Sequence, residues 1–330
     1  MKRISYLILI ASVLVTAGLN SCKKDSTAPS LVTTTESLSM GSGYANDIYY
    51  RLSDGLTTVV PRTNWDIAFS VSAREAAILI NGAAGVTLKA YPVSGWSWDT
   101  TIDTTGYSTW ASLNNSDTTW TEGAFNMNAT DFPNYGWGNY DMVSHNVNGV
   151  SLYIITTRAG SMKKIWIEKK LSVEQQYVFR YANLDGSDEQ DVTLDLAGRT
   201  NNFDYYSLDT NEEADREPDA TTWDIVFTKY IDNSINYPVT GVLQNIEITA
   251  QEGAAADMSA DNMPETGYLT DMSTIGSDWK TIDMSTYQYS IDDSKVYYVK
   301  DRDDNIYRIQ FKTFEGSSTG NLSFDISTLK

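Results

Sequence analysis

The chain has 330 residues, 41% of them hydrophobic and 12% aromatic, with 24 Lys and Arg against 43 Asp and Glu, for a net charge of −19. That much apolar sequence supports a sizeable core and excludes a wholly disordered protein, while so acidic a surface repels nucleic acid. One cysteine and one histidine exclude intrachain disulfides, cysteine-based clusters and multi-histidine metal sites.

The N-terminus reads as a secretory signal. Lys2 and Arg3 precede an almost unbroken apolar run from Ile4 to Gly18, followed by Leu19-Asn20-Ser21-Cys22, a lipoprotein cleavage box. The run is short for a bilayer span, which takes about 20 residues. Residues 1–21 are therefore expected to be removed, with Cys22 lipidated and 22–31 acting as a flexible tether. Loss of Lys2 and Arg3 leaves 22 basic against 43 acidic residues, a mature charge nearer −21. The expected location is the outer membrane, on its periplasmic face or at the cell surface, with the lipid as the membrane contact.

The remainder carries an internal duplication. Trp65-Asp66-Ile67-Ala68-Phe69 matches Trp223-Asp224-Ile225-Val226-Phe227. Asp47-Ile48-Tyr49-Tyr50-Arg51-Leu52 matches Asp204-Tyr205-Tyr206-Ser207-Leu208, and Gly85-Val86 matches Gly241-Val242. Further on, Thr105-Gly106-Tyr107 and Ser116-Asp117 match Thr266-Gly267-Tyr268 and Ser277-Asp278, and the run from Leu152 to Ile167 aligns with that from Val296 to Phe311. The order is kept throughout, so two copies are expected, 32–199 and 200–330, each with its own core.

Both copies read as β structure. Trp65, Ile67 and Phe69 alternate with Asp66 and Ala68, the period of a strand with one buried face; Trp65 and Trp223 are the framework aromatics expected at equivalent buried positions. Ile78-Leu79-Ile80 reads as a strand running into a turn. Strand–turn–strand patterns follow at 152–168, 177–195 and 296–312. The class is all-β, two tandem and mostly antiparallel β domains.

The copies differ at Gly123–Val150, a longer loop in the first copy that holds Phe125, Phe132, Tyr135, Trp137 and Tyr140. Aromatic, Gly-rich loops on a rigid scaffold are common binding elements, so these five are candidate pocket walls for a flat ligand. Catalysis is not expected. The lone His145 sits in this loop with no nucleophile elbow anywhere, and the many carboxylates single out no acid pair. Methionine sulfur is a soft ligand that can reach haem iron. Met127 and Met142 share the loop with His145, and Met258, Met263, Met272 and Met284 lie in the second copy.

The Tyr-Tyr-x-Leu strand, the Trp-Asp-Ile-x-Phe strand, the Gly-rich segment and the closing Tyr-x-Val-Lys-Asp…Asn-Ile-Tyr-Arg-Ile-Gln-Phe hairpin resemble the HmuY family. The resemblance implies an all-β, lipid-anchored haem-binding surface protein without catalytic activity. Such proteins take haem, sometimes from host haem proteins, and pass it to an outer-membrane receptor. The best-known member holds iron between two histidines, which one histidine cannot reproduce. Relatives that use methionine leave His145, Met142 and Met127 as the candidate haem ligands, with haem as the implied cofactor. The rival reading is a structural or interaction module that contacts protein or glycan without metal; a carboxylate-based hydrolase comes third.

Overall fold

The computed structural model describes residues 32–255 and 263–330. The signal peptide, Cys22, the tether and Met258 lie outside the described residues. No helix among the described residues is long and apolar enough to cross a membrane. Apart from short 3-10 turns the described secondary structure is strand, and every paired strand is antiparallel to its neighbours.

The expected hairpins form. Tyr153–Thr156 pairs with Met162–Leu171, Gln176–Asn183 with Gln190–Asp195, and Lys295–Lys300 with Ile306–Phe314. Equivalent strands even share an irregularity. The register slips between Ile167 and Lys169 in the first copy, and between Phe311 and Thr313 in the second.

Strand partners do not respect the boundary between the sequence copies. Asn46–Tyr50, from the first copy, pairs with Ile225–Asp232 of the second, placing Tyr50 opposite Ile225 and Tyr49 opposite Val226. Phe203–Ser207, from the second copy, pairs with Ile67–Ser70 of the first, placing Tyr206 opposite Ile67 and Tyr205 opposite Ala68. The registers are the same. At the outer edges, Gln190–Asp195 pairs with Gln176–Asn183, while Thr33–Ser39 crosses to the far end of the chain and pairs with Asn321–Thr328.

The sequence period and the packing period are thus out of phase. One lobe is built from the continuous stretch that runs from Trp65 past Phe203–Ser207. The other is assembled from both ends of the chain, with Thr33–Pro61 completing a lobe otherwise made by residues after Trp223. The join expected at 199/200 lies inside the first lobe's strand network.

Each lobe packs a four-stranded sheet on a larger one. In the first, Ile67, Phe69 and Tyr206 meet Ile155, Ile165 and Phe179. In the second, Ile48, Tyr50, Ile225 and Phe227 meet Ile309, Phe311 and Phe324. Burial of each such side chain is worth about 1.5–3 kcal/mol.

This arrangement explains the Trp-Asp-Ile motif. The isoleucine enters its lobe's core. The aspartate is buried and clamps the incoming strand: Asp66 Oδ2 accepts the Leu208 N–H and Asp224 Oδ2 accepts the Leu52 N–H, both at 2.8 Å. Arg158 Nε donates to Asp66 Oδ1 at 3.2 Å, and Arg302 Nη1 to Asp224 Oδ1 at 3.4 Å. The tryptophan lies on the opposite face, where its ring meets the tyrosine of the neighbouring strand: Trp65 on Tyr205 at 5.0 Å and Trp223 on Tyr49 at 4.9 Å, both edge-on. The two indoles hold equivalent places, but only Trp223 is fully buried; Trp65 is half-buried.

Candidate functional site

The loop Gly123–Val150 lines none of the cavities found among the described residues. Phe125 and Trp137 are fully buried in the first lobe's own core. Trp137 Nε1 donates to Ala76 O at 2.9 Å, and Phe125 packs edge-on against Tyr153 at 4.8 Å. Tyr135 and Tyr140 lean on the same core. The glycines serve protein backbone. A Cβ at Gly138 would stand 2.7 Å from Asn148 O, and one at Gly136, whose φ is +86°, 2.9 Å from Phe125 O. The composition expected to receive a flat ligand makes a plug, because close approach and flat apolar faces are equally what a tightly folded loop needs.

The candidate haem ligands lie outside that core. Met127, Met142 and His145 are exposed, as is Phe132. His145 sits at a hairpin bend with φ 60°, its Nδ1 2.6 Å from the Tyr140 hydroxyl. None of the three lines the cleft described next. In the second copy, Met284 is exposed and Met272 is buried.

The aromatic concave surface lies elsewhere, between the lobes. Period-2 alternation turns one face of each four-stranded sheet away from its own core. Tyr49, Val226, Leu243 and Met272 gather on one side, and Ala68, Leu79, Phe203 and Tyr205 on the other. Trp120 packs on both clusters. Its Nε1 donates to Gln244 O at 2.8 Å while its ring lies 5.8 Å from Phe203. The cleft so formed has Trp65, Trp120 and Trp223 among its walls and an accessible volume of about 100 Å³, small beside the roughly 300–1,000 Å³ of typical small-molecule sites.

Its polar corner is buried and charged. Arg216 forms an ion pair with Asp47, both 5% exposed or less. Thr228 Oγ1 donates to Asp47 Oδ1 at 2.7 Å. The Arg216 guanidinium also lies 4.9 Å from the Tyr205 ring centre and 5.4 Å from that of Trp65, a cation–π arrangement. Beside it, Glu217 accepts from Asn202 N at 3.0 Å, Phe203 N at 3.1 Å and the Tyr205 hydroxyl at 2.9 Å. Burial nevertheless pushes its carboxyl up to about 7. Burial likewise holds the Tyr49 and Tyr205 phenols well above their ordinary value, so both are neutral.

Three donors on these walls have no protein partner: Trp65 Nε1, Trp223 Nε1 and Arg216 Nε. Buried donors without partners are rare, and each needs an explanation.

Sequence reading picked out Trp65 and Trp223 as framework but missed Arg216, Glu217 and Asp47. A signal existed. Tyr49 pairs with Thr58 as Tyr205 pairs with Ala214, so two residues further on Arg216 stands where the other copy has Val60, and Glu217 where it has Pro61. A charged pair replacing an apolar one within a repeat marks a place where the copies diverge in task.

The HmuY protein family model matches residues 199–326. That part of the chain is HmuY-like. The match begins just before Phe203–Ser207 and lacks Thr33–Pro61, the N-terminal strands that complete the second lobe in the structure. No curated protein matches the chain. Among solved structures, apo PinO from Porphyromonas gingivitis is 12% identical, with 91% of this chain and 98% of that one covered at a TM-score of 0.32. A protein described as a lipoprotein from Bacteroides fragilis is 16% identical, with coverage of 58% and 94% and a TM-score of 0.24. A protein described as an HmuY-like heme-binding protein from Bacteroides vulgatus is 16% identical, with coverage of 44% and 82% and a TM-score of 0.22.

Proposed function

We propose that the protein is a non-catalytic, lipid-anchored surface protein that binds a flat hydrophobic molecule of the haem class in the cleft between its lobes. The observation that carries this reading is the cleft itself: three tryptophans and three neutral tyrosines around a buried arginine, on an all-β scaffold whose C-terminal part is HmuY-like. Indole faces suit a planar ring system, and the buried charged corner at Arg216 would orient it. Cys22 would tether the protein to the outer membrane. On the HmuY-like pattern, haem-carrying proteins and an outer-membrane receptor would be its partners.

The wall residues match the flat body of haem in chemical character, and the lobes would have to part to admit it, since the accessible volume is about 100 Å³; they do not fit its iron. No histidine lines the cleft, burial holds its three wall phenols, Tyr49, Tyr205 and Tyr230, above their ordinary value and so neutral, and Met272 is the soft donor it offers. Among the described residues no group of three His, Cys, Asp or Glu could hold a metal ion. The loop trio of His145, Met142 and Met127 lies away from this lining.

Titration of residues 32–330 with haemin tests the reading. A shifted Soret band together with quenching of tryptophan emission is expected. Its absence would favour the rival, an interaction module. One observation supports that rival: the hairpin of the plug loop exposes Phe132, Met142 and Val143, the last two at 73% and 91%, an apolar tip suited to a protein or glycan surface.

A further inference from the structure

The lobes are joined by covalent chain on one side of the cleft and by contacts alone on the other. In the two four-stranded sheets that face each other, Thr57–Pro61 and Glu212–Ala214 are edge strands, and Tyr237–Gln244 and Ile78–Ile80 are the opposite edges. The chain crosses between the lobes just after Pro61 and again just after Ala214. Both crossings lie on the same side, where Pro61 and Ala214 border one cavity. There the two connections hold each other. Arg216 Nη1 donates to Asn64 Oδ1 at 3.4 Å and Arg62 O at 3.5 Å, and its guanidinium pairs with the buried Asp47. Beside the second connection, Asn202 Nδ2 donates to Asn245 Oδ1 at 2.6 Å, and Asn245 Nδ2 to Ala220 O at 2.8 Å.

The far side is closed by a strap, residues 114–120. It belongs to the first lobe, because Asn115 caps the edge strand Ile78–Ile80: Ile80 N donates to its Oδ1 at 2.9 Å, and its Nδ2 donates to Ile80 O at 2.8 Å. From there the strap runs along the second lobe's edge. Asn114 Nδ2 donates to Asn236 Oδ1 at 3.0 Å, Asn233 Nδ2 to Asn115 O at 2.8 Å and Asn233 N to Asp117 Oδ2 at 2.8 Å, all three exposed to water. Met272 N on Thr118 O at 2.9 Å and Trp120 Nε1 on Gln244 O at 2.8 Å finish the seam. An exposed hydrogen bond is readily exchanged for one to water, whereas parting Arg216 from Asp47 would strand a buried charge. The seam is the weak side. The walls favour release as well, since Trp65 Nε1 and Trp223 Nε1 find no acceptor while the faces are closed.

We infer that the strap is a clasp: the lobes part on its side, hinging about the paired connections at Arg62–Asn64 and Arg216, and so expose walls that the closed cleft of about 100 Å³ keeps from anything large. This holds whatever molecule the cleft receives.

Thiol labelling tests it. Cys22 is the only cysteine of the chain, so in residues 32–330 an introduced thiol reports alone. Val226→Cys puts it on the cleft wall, and Val299→Cys puts it in the second lobe's core; the valines are 4% and 0% exposed. DTNB, a two-ring aromatic disulfide too bulky for the closed cleft, should label the first about tenfold faster or more, because the second waits for the lobe to unfold. Asn233→Ala, which deletes side-chain bonds to Asn115 and Asn114, should speed labelling at 226 by about another tenfold and leave 299 as it was. Asn64→Ala, at the hinge, should change labelling at 226 by no more than about twofold. Equal rates at 226 and 299 would overturn the inference, since the cleft would then open only on unfolding. So would no response at 226 to Asn233→Ala, or a response to Asn64→Ala as large.

Discussion

Replacing Tyr50 with alanine tests the exchange of strands between the copies. Tyr50 belongs to the first sequence copy, yet its side chain, 1% exposed, lies in the second lobe's core. Its ring meets Phe324 edge-on at 5.4 Å and Phe227 at 6.4 Å. Truncating a large core aromatic costs about 3–5 kcal/mol, and Tyr50→Ala should fall in that range. The loss should be local in origin. Amides that exchange through opening of the second lobe should speed up by roughly 10²–10⁴, the same free energy expressed as an opening constant. Hydrogen exchange read by mass spectrometry should show this in peptides covering Ile225–Asp232 and Asn321–Thr328, far from Tyr50 in sequence. Peptides covering Ile67–Ser70 and Gln176–Asn183 should change much less. Faster exchange confined to those first-lobe strands, with 225–232 untouched, would refute the assignment of Tyr50 to the second lobe.

Three other outcomes follow from the same geometry. Trp137→Ala should destabilise the protein by about 3–5 kcal/mol in denaturant melts, as for any large core aromatic, while His145→Ala should stay within about 0.5 kcal/mol and leave haemin binding unchanged. Glu217 titrates at about 7 folded against an ordinary 4.5, so the folded state holds the extra proton between those values and stability should fall as pH rises through that window, by about 3 kcal/mol at most. Glu217→Gln should remove that slope, and the difference between the two stability curves separates it from Asp204, whose carboxyl burial pushes up to about 6. Cys22→Ala should release the protein from membranes in fractionation and leave its circular dichroism unchanged.

Much of the fold was legible because its signals are local. The apolar run Ile67–Phe69, the polar turn before Ile306 and the apolar triplet Ile78–Ile80 each reveal a strand or hairpin from a few adjacent residues, though Trp65 turns to the face opposite Ile67. The partner of each strand was not legible. A repeated sequence has a period but no phase: cutting at 199/200 or just before Trp223 leaves the matches equally good. Only the long-range pairing of Thr33–Ser39 with Asn321–Thr328 shows that the ends of the chain close one lobe. The site suffered from the same locality. Phe125 and Trp137 looked like ligand walls because composition does not say which way a ring faces. Nothing local to Asp47, Arg216 and Glu217 joins them, since only tertiary packing brings 47 beside 216.

The account's central claim is the place of the ligand, and a hydrogen-exchange footprint with haemin tests it most directly. Saturating haemin should slow exchange in Asn46–Tyr50, Phe203–Ser207 and Ile225–Asp232, the strands that face each other across the cleft, and leave Gly123–Val150 as it was. Protection confined to Gly123–Val150, around His145 and Met142, would contradict it.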